Sequence, residues 1–524
     1  MLLLNGNIIT MDSARPRAEA VAVGGDRIAA VGSNEEARAA GVGGPEIDLA
    51  GRTLIHGFND AHLHLLYAGQ IMLDVDLSPE AAPDIPAIQR QLAERARITP
   101  PGEWVMGYRY DVSKLAENRH PTRHDLDAAT TDHPIAIYHV CSHIAVVNSA
   151  ALKRIGFTRE SADPAGGRLG RDPATGDLDG RLYEVVIAGE APAGQGPPQK
   201  TVEQNRRALE LIGRKALSVG ITCATDAQVS TDWYEPFRLS AVDRTLPIRA
   251  RLLLAARHLD AFLGMDLPDN PWLRVIGVKA FADGAIAGRT ACLSAPYEGT
   301  DDCGILCIDQ AELNRIARVT HDAGLQCCVH ANGDRAIAMT LDAFEAAMGA
   351  NPRSDPRHRL EHGTVMTPAL IERAARLGVV VAPFASYVWH HGEKMGSYGE
   401  RIHTMFAVRS MLDAGITVAG STDHPCAPID PLLGVQSMVL RQSRSGEPLG
   451  PGQRVSVEEA LRVYTAGSAY ASFEEAAMGM VRPGMLADLT VLGADPTAVD
   501  PAAIKDIPVD TTIVGGEVAY TRER

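Results

Sequence analysis

The feature that most constrains the fold is a regular alternation of short apolar runs and amphipathic runs from about residue 210 onward. The amphipathic runs carry apolar residues at i, i+3 and i+4, which is typical of helices. Glycines that follow them, as helix caps do, are Gly324, Gly349, Gly378 and Gly415. The predicted helices span residues 310–323, 335–348, 368–377 and 404–414.

The apolar runs between these helices predict strands, and the run before His62 brings their number to eight. Since no GxGxxG sequence follows any strand, the alternation favours a (β/α)8 barrel over a doubly wound sheet. The other predicted strands are residues 221–225, 248–254, 275–282, 325–330, 357–362, 379–383 and 416–420.

The ends of the chain and one long interval differ from the barrel pattern. Residues 1–52 and 478–524 contain short β segments separated by turns, which predicts a small sheet domain built from both termini. The barrel then takes residues 53–65 and 201–477. The interval 66–200 is too long for one crossover and predicts an insert domain, with a Pro/Gly-rich loop or linker at 191–198.

Composition restricts the class of protein. The chain has 524 residues, 45% of them hydrophobic and 22% charged, as in ordinary globular proteins. A formal net charge of −15 argues against nucleic-acid and anionic-membrane partners. The start lacks a basic segment, no apolar run could span a bilayer, and eight cysteines form no CxxC pair. These features predict a reduced, cytoplasmic protein.

His62 and His64 lie at a predicted strand end, where residues i and i+2 point to the same side. Two imidazoles so placed can chelate one divalent metal. Taken alone, the pair is a weak signal, because histidines are more often surface or hydrogen-bonded residues than metal ligands.

The carboxyl ends of the later strands, where barrel enzymes have their active sites, carry Lys279, His330, His362 and Asp423. Each has a structural alternative: His330 could bond a carbonyl, His362 could cap a helix, and Asp423 could stabilise a turn. Lys279 interrupts an apolar strand, and a buried unpaired ammonium is costly. A lysine at this position is explained if CO2 carboxylates its amine and the product bridges two cations. The alternative is a lysine at an edge or on the surface.

Six motifs together resemble the amidohydrolase superfamily, and within it amidohydrolase family 3, the YtcJ-like group that includes N-substituted formamide deformylases. They occur in the family's order and span nearly the whole chain. The motifs are residues 57–64 (GFNDAHLH), 278–285 (VKAFADGA), 330–336 (HANGDRA), 359–363 (RLEHG), 420–425 (GSTDHP) and 483–489 (PGMLADL).

The resemblance implies a (β/α)8 barrel, a β-sandwich made from both termini and an insert domain covering the barrel mouth. It also implies that His62, His64 and Asp423 hold a first metal. A carboxylated Lys279 would bridge to a second metal held by His330 and His362. Zinc is the expected cofactor, two ions per chain if Lys279 is carboxylated, and Mn, Fe and Co suit the same donors. Asp423 and Lys279 are the implied catalytic residues, with Asp423 as the general base.

Candidate substrate contacts come from the insert and from the loops beyond the strands. His143 and Trp389 have structural alternatives, as a fold residue and as a lid or interface anchor. His56, residues 225–227 and residues 141–143 depart from the family's usual pattern without touching the implied ligands. The candidates are His143, Glu184, Asp283, Arg289, Tyr387, Trp389, His390 and His391.

The resulting prediction is a metal-dependent hydrolase that cleaves the C–N bond of an N-acyl or N-formyl small molecule by metal-activated water. Alternatives on the same fold are a deaminase of a cyclic or aryl amine and a lactone or ester hydrolase. A non-catalytic barrel scaffold is the alternative from another class. No nucleic acid or membrane partner is expected, and a homodimer is compatible with the sequence.

Overall fold

The computed structural model describes residues 1–112, 114–140, 144–164, 167–183, 196–267 and 269–523. Its contacts divide the chain into two compact units. One consists of Met1–Leu65 with Ile212–Arg524, and the other of Leu66–Leu211.

A nearly closed parallel barrel forms the centre of the first unit. Its strands are buried on both faces, which explains why their sequences are almost continuously apolar. Each strand pairs with the one that follows it in the chain. In the described residues these strands are β1 (Phe58–Leu63), β2 (Ile221–Val229), β3 (Arg249–Ala255), β4 (Leu273–Phe281), β5 (Gln326–Ala331), β6 (Arg359–His362) and β7 (Val380–Ala382).

The position of an eighth strand is taken by residues 416–424, which form only isolated bridges to β7 and the residues after it, Val418 to Val381 and Ser421 to Phe384. On the other side, the Ala61 amide donates to the Gly420 carbonyl over 2.8 Å, which joins this segment to β1. The Gly420 amide leaves the barrel ladder and donates to the Val463 carbonyl over 2.9 Å. The predicted strand at 416–420 is therefore present as a closing segment and not as a regular strand.

The helices around the barrel agree with the predicted positions to within a few residues. Gly324, Gly378 and Gly415 follow helices with φ of 80°, 63° and 78°. Gly349 differs, because its helix continues to Ala350 and the glycine lies inside it. The longer helices of this unit are Asn34–Ala39, Thr231–Val242, Gln310–Asp322, Asp334–Ala350, Pro368–Arg376, Val408–Asp413, Pro431–Leu440 and Val457–Arg462. Shorter ones are Leu259–Phe262, Tyr387–His391 and Ser468–Ala471, and Val202–Ser218 crosses the division between the units.

Two further sheets, one of N-terminal strands alone and one that combines strands from both termini, share a buried apolar core that includes Leu54, Leu489 and Ile513. Thr53–His56 pairs with Asn7–Ile9 and Leu489–Leu492. It therefore lies outside the barrel, whose predicted segment begins at residue 53. The chain enters the barrel only after Gly57, where a Cβ would lie 2.3 Å from Thr222. In sheet order, the first sheet contains Arg27–Gly32, Ala20–Gly24, Leu2–Leu4 and Glu46–Asp48, and the second Glu517–Thr521, Val509–Val514, Leu489–Leu492, Thr53–His56, Asn7–Ile9 and Arg17–Ala18.

Buried ion pairs connect the barrel to the C-terminal segment. Arg249 of β3 bonds Asp488 over 2.6 Å and 3.0 Å, and Asp488 also accepts from the Gly515 amide over 2.8 Å. Arg251 makes a similar two-bond pair with Glu474, over 2.6 Å and 2.7 Å. Each guanidinium thus has its charge matched inside the fold, which a buried arginine requires.

His358, just before β6, is buried beside His321 of the helix Gln310–Asp322. The Cys327 amide donates to Nδ1 of His358 over 3.0 Å, and Nε2 of His358 lies 2.9 Å from Nδ1 of His321. Burial, with smaller contributions from the neighbouring His321 and Arg353, lowers the pKa of His358 to about 3. His358 is therefore neutral in the folded protein at ordinary pH.

The second unit contains a mixed sheet with an apolar core around Ile88, Leu126 and Ile137. The predicted loop at 191–198 lies largely outside the described residues. No helix in the described part of the chain is both long and apolar enough to cross a membrane. In sheet order, the strands are Arg168–Arg171, Leu178–Tyr183, Ile144–Val147, Ile135–His139, Val105–Tyr110 and Val75–Asp76; the helices are Leu65–Ile71, which begins at the division, Ile85–Ile98, Arg123–Asp127 and Ser149–Ile155.

Candidate metal centre

His62, His64 and Asp423 come together at the carboxyl end of the barrel. Nε2 of His62 lies 3.4 Å from Oδ1 of Asp423, and Nε2 of His64 lies 3.5 Å from the same oxygen. One donor atom from each residue falls within 4.8 Å of the others. Two imidazole nitrogens and one carboxylate oxygen converging in this way form a donor set that suits zinc.

The backbone explains this convergence. The Asp423 amide donates to the His62 carbonyl over 2.9 Å, and the His64 amide donates to the His424 carbonyl over 2.8 Å. Asp423 has a φ of 51°, a turn conformation that is uncommon outside glycine. The closing segment is thus held against β1 on both sides of Asp423, and its carboxylate is directed at the two histidines.

Lys279, His330 and His362 are neighbours of this group. The ring of His362 lies 4.9 Å from that of His62 and 4.7 Å from that of His330, measured between centroids. Within the described residues, Nζ of Lys279 and Nδ1 of His362 are buried without a hydrogen-bond partner. Because buried polar atoms are normally bonded, these two unpartnered nitrogens fit a site that is completed by a cation.

Burial determines the protonation of these groups. It lowers the pKa of His62 and of His362 well below the ordinary value, and that of His330 to about 3. Burial is also the main reason why the pKa of Lys279 is lowered. Neutral imidazoles offer the lone pairs that metal binding requires.

The sequence offers a structural role for His330, a hydrogen bond to a carbonyl, and the structure contains such a contact. Nε2 lies 3.1 Å from the Gly284 carbonyl and 3.0 Å from Nδ2 of Asn332. This contact orients the ring and leaves Nδ1 available as a ligand, so the two interpretations of His330 are compatible.

Asp60 lies in the first of the six motifs, residues 57–64, two positions before His62. Its carboxylate accepts from Oγ1 of Thr422 over 2.5 Å and from the amides of His62 and Thr422 over 3.2 Å each. Burial raises the pKa of Asp60 to about 7. The residue links β1 to the segment that carries Asp423.

Glu361 and Arg359 are further residues whose importance sequence reasoning missed. Glu361 is fully buried and contacts Nδ1 of His62 through one oxygen and Nε of Arg359 through the other. Arg359 and Glu361 are two charged residues at i and i+2 of an apolar strand, so both side chains point to the same side, the barrel interior. This spacing is the sequence pattern that could have identified them.

The predicted substrate contacts of the loop after β4 differ in their placement. Asp283 is buried and its carboxylate accepts from the amides of Cys292, Asn332 and Gly333 over 2.8–2.9 Å. It anchors the loop from inside the fold, which differs from the predicted substrate contact. Arg289 is exposed on the same loop, with a φ of 52°.

The loop after β7 contains an aromatic cluster. Tyr387 is buried and stacks on Phe406 at 4.9 Å between centroids, whereas Trp389 is half-buried beside His390. Nε2 of His391 lies 3.3 Å from the Cys426 carbonyl, three residues after Asp423. His143 and Glu184 lie outside the described residues.

The chain is similar to known proteins over nearly its whole length. The model of the amidohydrolase family matches residues 45–520. YtcJ of Bacillus subtilis (strain 168) is 34% identical over 99% of this chain and 98% of its own length. The N-substituted formamide deformylase of Arthrobacter pascens is 30% identical over 100% of this chain and 98% of its own length.

Solved structures share the fold. An uncharacterized metal-dependent hydrolase from Pyrococcus horikoshii OT3 superposes with a TM-score of 0.80 and 26% identity, covering 96% of this chain and 99% of that one. The zinc complex of atrazine chlorohydrolase TrzN from Arthrobacter aurescens TC1 has a TM-score of 0.56 and 18% identity, covering 100% of this chain and 96% of that one. The chain belongs to the amidohydrolase family and is a metal-dependent hydrolase acting on carbon–nitrogen bonds other than peptide bonds.

Proposed function

We propose that this enzyme hydrolyses the amide bond of an N-acyl or N-formyl amine. The observation that carries the proposal is the convergence of His62, His64 and Asp423 next to the unpartnered Nζ of Lys279. The similarity to a formamide deformylase over the whole chain supports this choice of substrate class.

The donor set suggests how metal would be held. His62, His64 and Asp423 would bind one divalent ion, most simply zinc, and His330 and His362 a second ion bridged by a carboxylated Lys279. When bound, such cations polarise a carbonyl and lower the pKa of water toward neutrality.

Asp423 would be the residue that moves the proton. In the proposed reaction its carboxylate accepts a proton from the attacking water and returns it to the leaving nitrogen. The buried imidazoles do not compete for that proton, because burial keeps their pKa values low. The bonds from the backbone of Asp423 to β1 hold the carboxylate in place.

The remaining assignments stay predictions. They comprise a β-sandwich of residues 1–52 and 478–524, a barrel of 53–65 and 201–477 apart from the strand Thr53–His56, and an insert domain of 66–200 over the barrel mouth. A cytoplasmic location is also predicted. His143, Glu184, Arg289, Tyr387 and Trp389 remain the candidate substrate contacts.

The test is a substrate screen with the zinc-loaded protein. N-formyl and N-acyl amines are compared with cyclic and aryl amines and with lactones, and Asp423→Asn serves as the inactive control. The proposal expects release of a free amine with formate or another carboxylate. Ammonia release from ring amines would favour the deaminase alternative, and the absence of any metal-stimulated hydrolysis would contradict the proposed function.

A further inference from the structure

Glu361 connects the inside of the barrel to a ligand on a strand that is not its neighbour. It lies on β6, where it pairs with His330 of β5 and Ala382 of β7. Its side chain reaches His62 of β1, 299 positions away in the sequence. Since β7 and the closing segment separate β6 from β1 around the barrel wall, this contact crosses the interior.

The contact also selects which nitrogen of His62 carries a proton. A carboxylate only accepts hydrogen bonds, so Nδ1 of His62 must be the donor to Glu361. The lone pair then resides on Nε2, the atom that lies 3.4 Å from Asp423. Control of a ligating histidine through its other nitrogen is a general way to orient a metal site.

Arg359 holds Glu361 in this position. Its Nε donates to the second oxygen of Glu361, and its Nη2 donates to the Ala61 carbonyl, next to His62, over 3.1 Å. Arg359, Glu361 and His62 are all at most 1% exposed. The pair therefore fixes both the imidazole and the backbone beside it.

We infer that Glu361 is a positioning residue for metal binding at His62 and that Arg359 orients it. The inference rests on the proposed function, in which His62 is a metal ligand. The Arg251–Glu474 pair provides a matched comparison. It is also a buried Arg–Glu pair, joined by two hydrogen bonds where Arg359 and Glu361 share one, and neither partner bonds a histidine in the described contacts.

Glu361→Gln is the first test. Glutamine offers one carbonyl oxygen to two donors, so its NH2 group must face either Nδ1 of His62 or Nε of Arg359. We expect zinc affinity to fall 10–100-fold, the range typical of lost outer-shell partners. The visible absorption bands of the Co2+-loaded protein should change as well, because the ligand field at His62 changes.

Two further variants separate positioning from folding. Glu474→Gln removes a matched buried charge and should leave the zinc affinity and the cobalt spectrum at wild-type values. Arg359→Met combined with Glu361→Met removes both charges together, so no buried charge is left unpaired. This double variant should fold, as checked by circular dichroism, and still bind zinc at least 10-fold more weakly than the wild type.

The outcomes distinguish this inference from the proposed function. If the wild type binds zinc and both Glu361 variants bind it equally well with an unchanged cobalt spectrum, the inference is wrong and the proposed function stands. Equal losses in Glu361→Gln and Glu474→Gln would likewise overturn it, because they would indicate a general loss of stability. If the wild type binds no metal, the proposed function fails and the inference with it.

Discussion

Replacing Lys279 by methionine should stabilise the metal-free protein while abolishing its activity. The side chain is 1% exposed and its Nζ has no hydrogen-bond partner in the described structure. Burial of an unbonded polar group costs about 1–3 kcal/mol. When the amine is charged, its contact with the Phe281 ring, whose centroid lies 4.5 Å from Nζ, offsets about 0.5–1 kcal/mol of this burial cost.

The net expectation is that Lys279→Met increases the free energy of unfolding by up to about 2.5 kcal/mol. Methionine has nearly the same length and volume, so the core need not rearrange. Attraction by Glu361 and Asp423 works against this gain, but burial is the larger influence on the amine.

The assay is urea unfolding in EDTA without bicarbonate, so that neither metal nor carboxylation stabilises the wild type. Lys153→Met, on an exposed site of a helix, is the matched control and should change the unfolding free energy by no more than about 0.5 kcal/mol. Zinc is then restored and hydrolysis measured. A metal-free Lys279→Met protein less stable than the wild type, or one with undiminished hydrolysis, would refute the reasoning.

Three other substitutions give independent expectations. Asp423→Asn should lower kcat about 10²–10⁴-fold with an unchanged circular dichroism spectrum, because it removes the proposed general base; near-normal turnover would exclude that role. Since the folded pKa of His358 is about 3, below its ordinary 6.5, its contribution to stability is complete above pH 6.5 and is lost as the pH falls toward 3. His358→Gln should therefore flatten the pH dependence of unfolding in that window by up to about 1.4 kcal/mol per pH unit, and an unchanged slope would contradict this. Asp488→Asn leaves Arg249 unpaired and should destabilise by about 3–5 kcal/mol in urea unfolding, with unaltered zinc affinity; a loss below about 1 kcal/mol would show that the pair is unimportant.

The barrel was predictable because its strands are apolar on both faces and its helices are amphipathic. Strand β5, predicted at 325–330, spans Gln326–Ala331, and the helix predicted at 310–323 spans Gln310–Asp322. Local pattern does not state which sheet a strand joins. Thr53–His56 has the composition of a strand, but its pairing with strands of the terminal sheet depends on residues hundreds of positions away.

The closing segment shows a second limit of sequence reasoning. Residues 416–420 are apolar and read as a strand, yet the Gly420 amide bonds the Val463 carbonyl instead of a barrel neighbour. A Cβ on Gly420 would lie 2.4 Å from the Tyr464 ring, so the irregularity depends on tertiary packing. No local propensity contains that information.

Candidate ligands were visible because each lies at the end of a predicted strand, where barrel chemistry occurs. Glu361 was not recognised, although it lies in a motif, because its partner His62 is distant in the sequence. Loop position predicts a substrate contact at Asp283, because it does not reveal that three amides donate to its carboxylate. The chemical types in the site could be read from sequence, but the bonds between them could not.

The most direct test of a two-metal hydrolase is the metal content of the purified protein, measured by elemental analysis after dialysis against metal-free buffer. The account predicts about two divalent ions per chain, falling to about one in Lys279→Met, because the proposed bridging group is then absent. A wild-type protein that retains no divalent ion, and whose stability zinc does not change, would contradict the account.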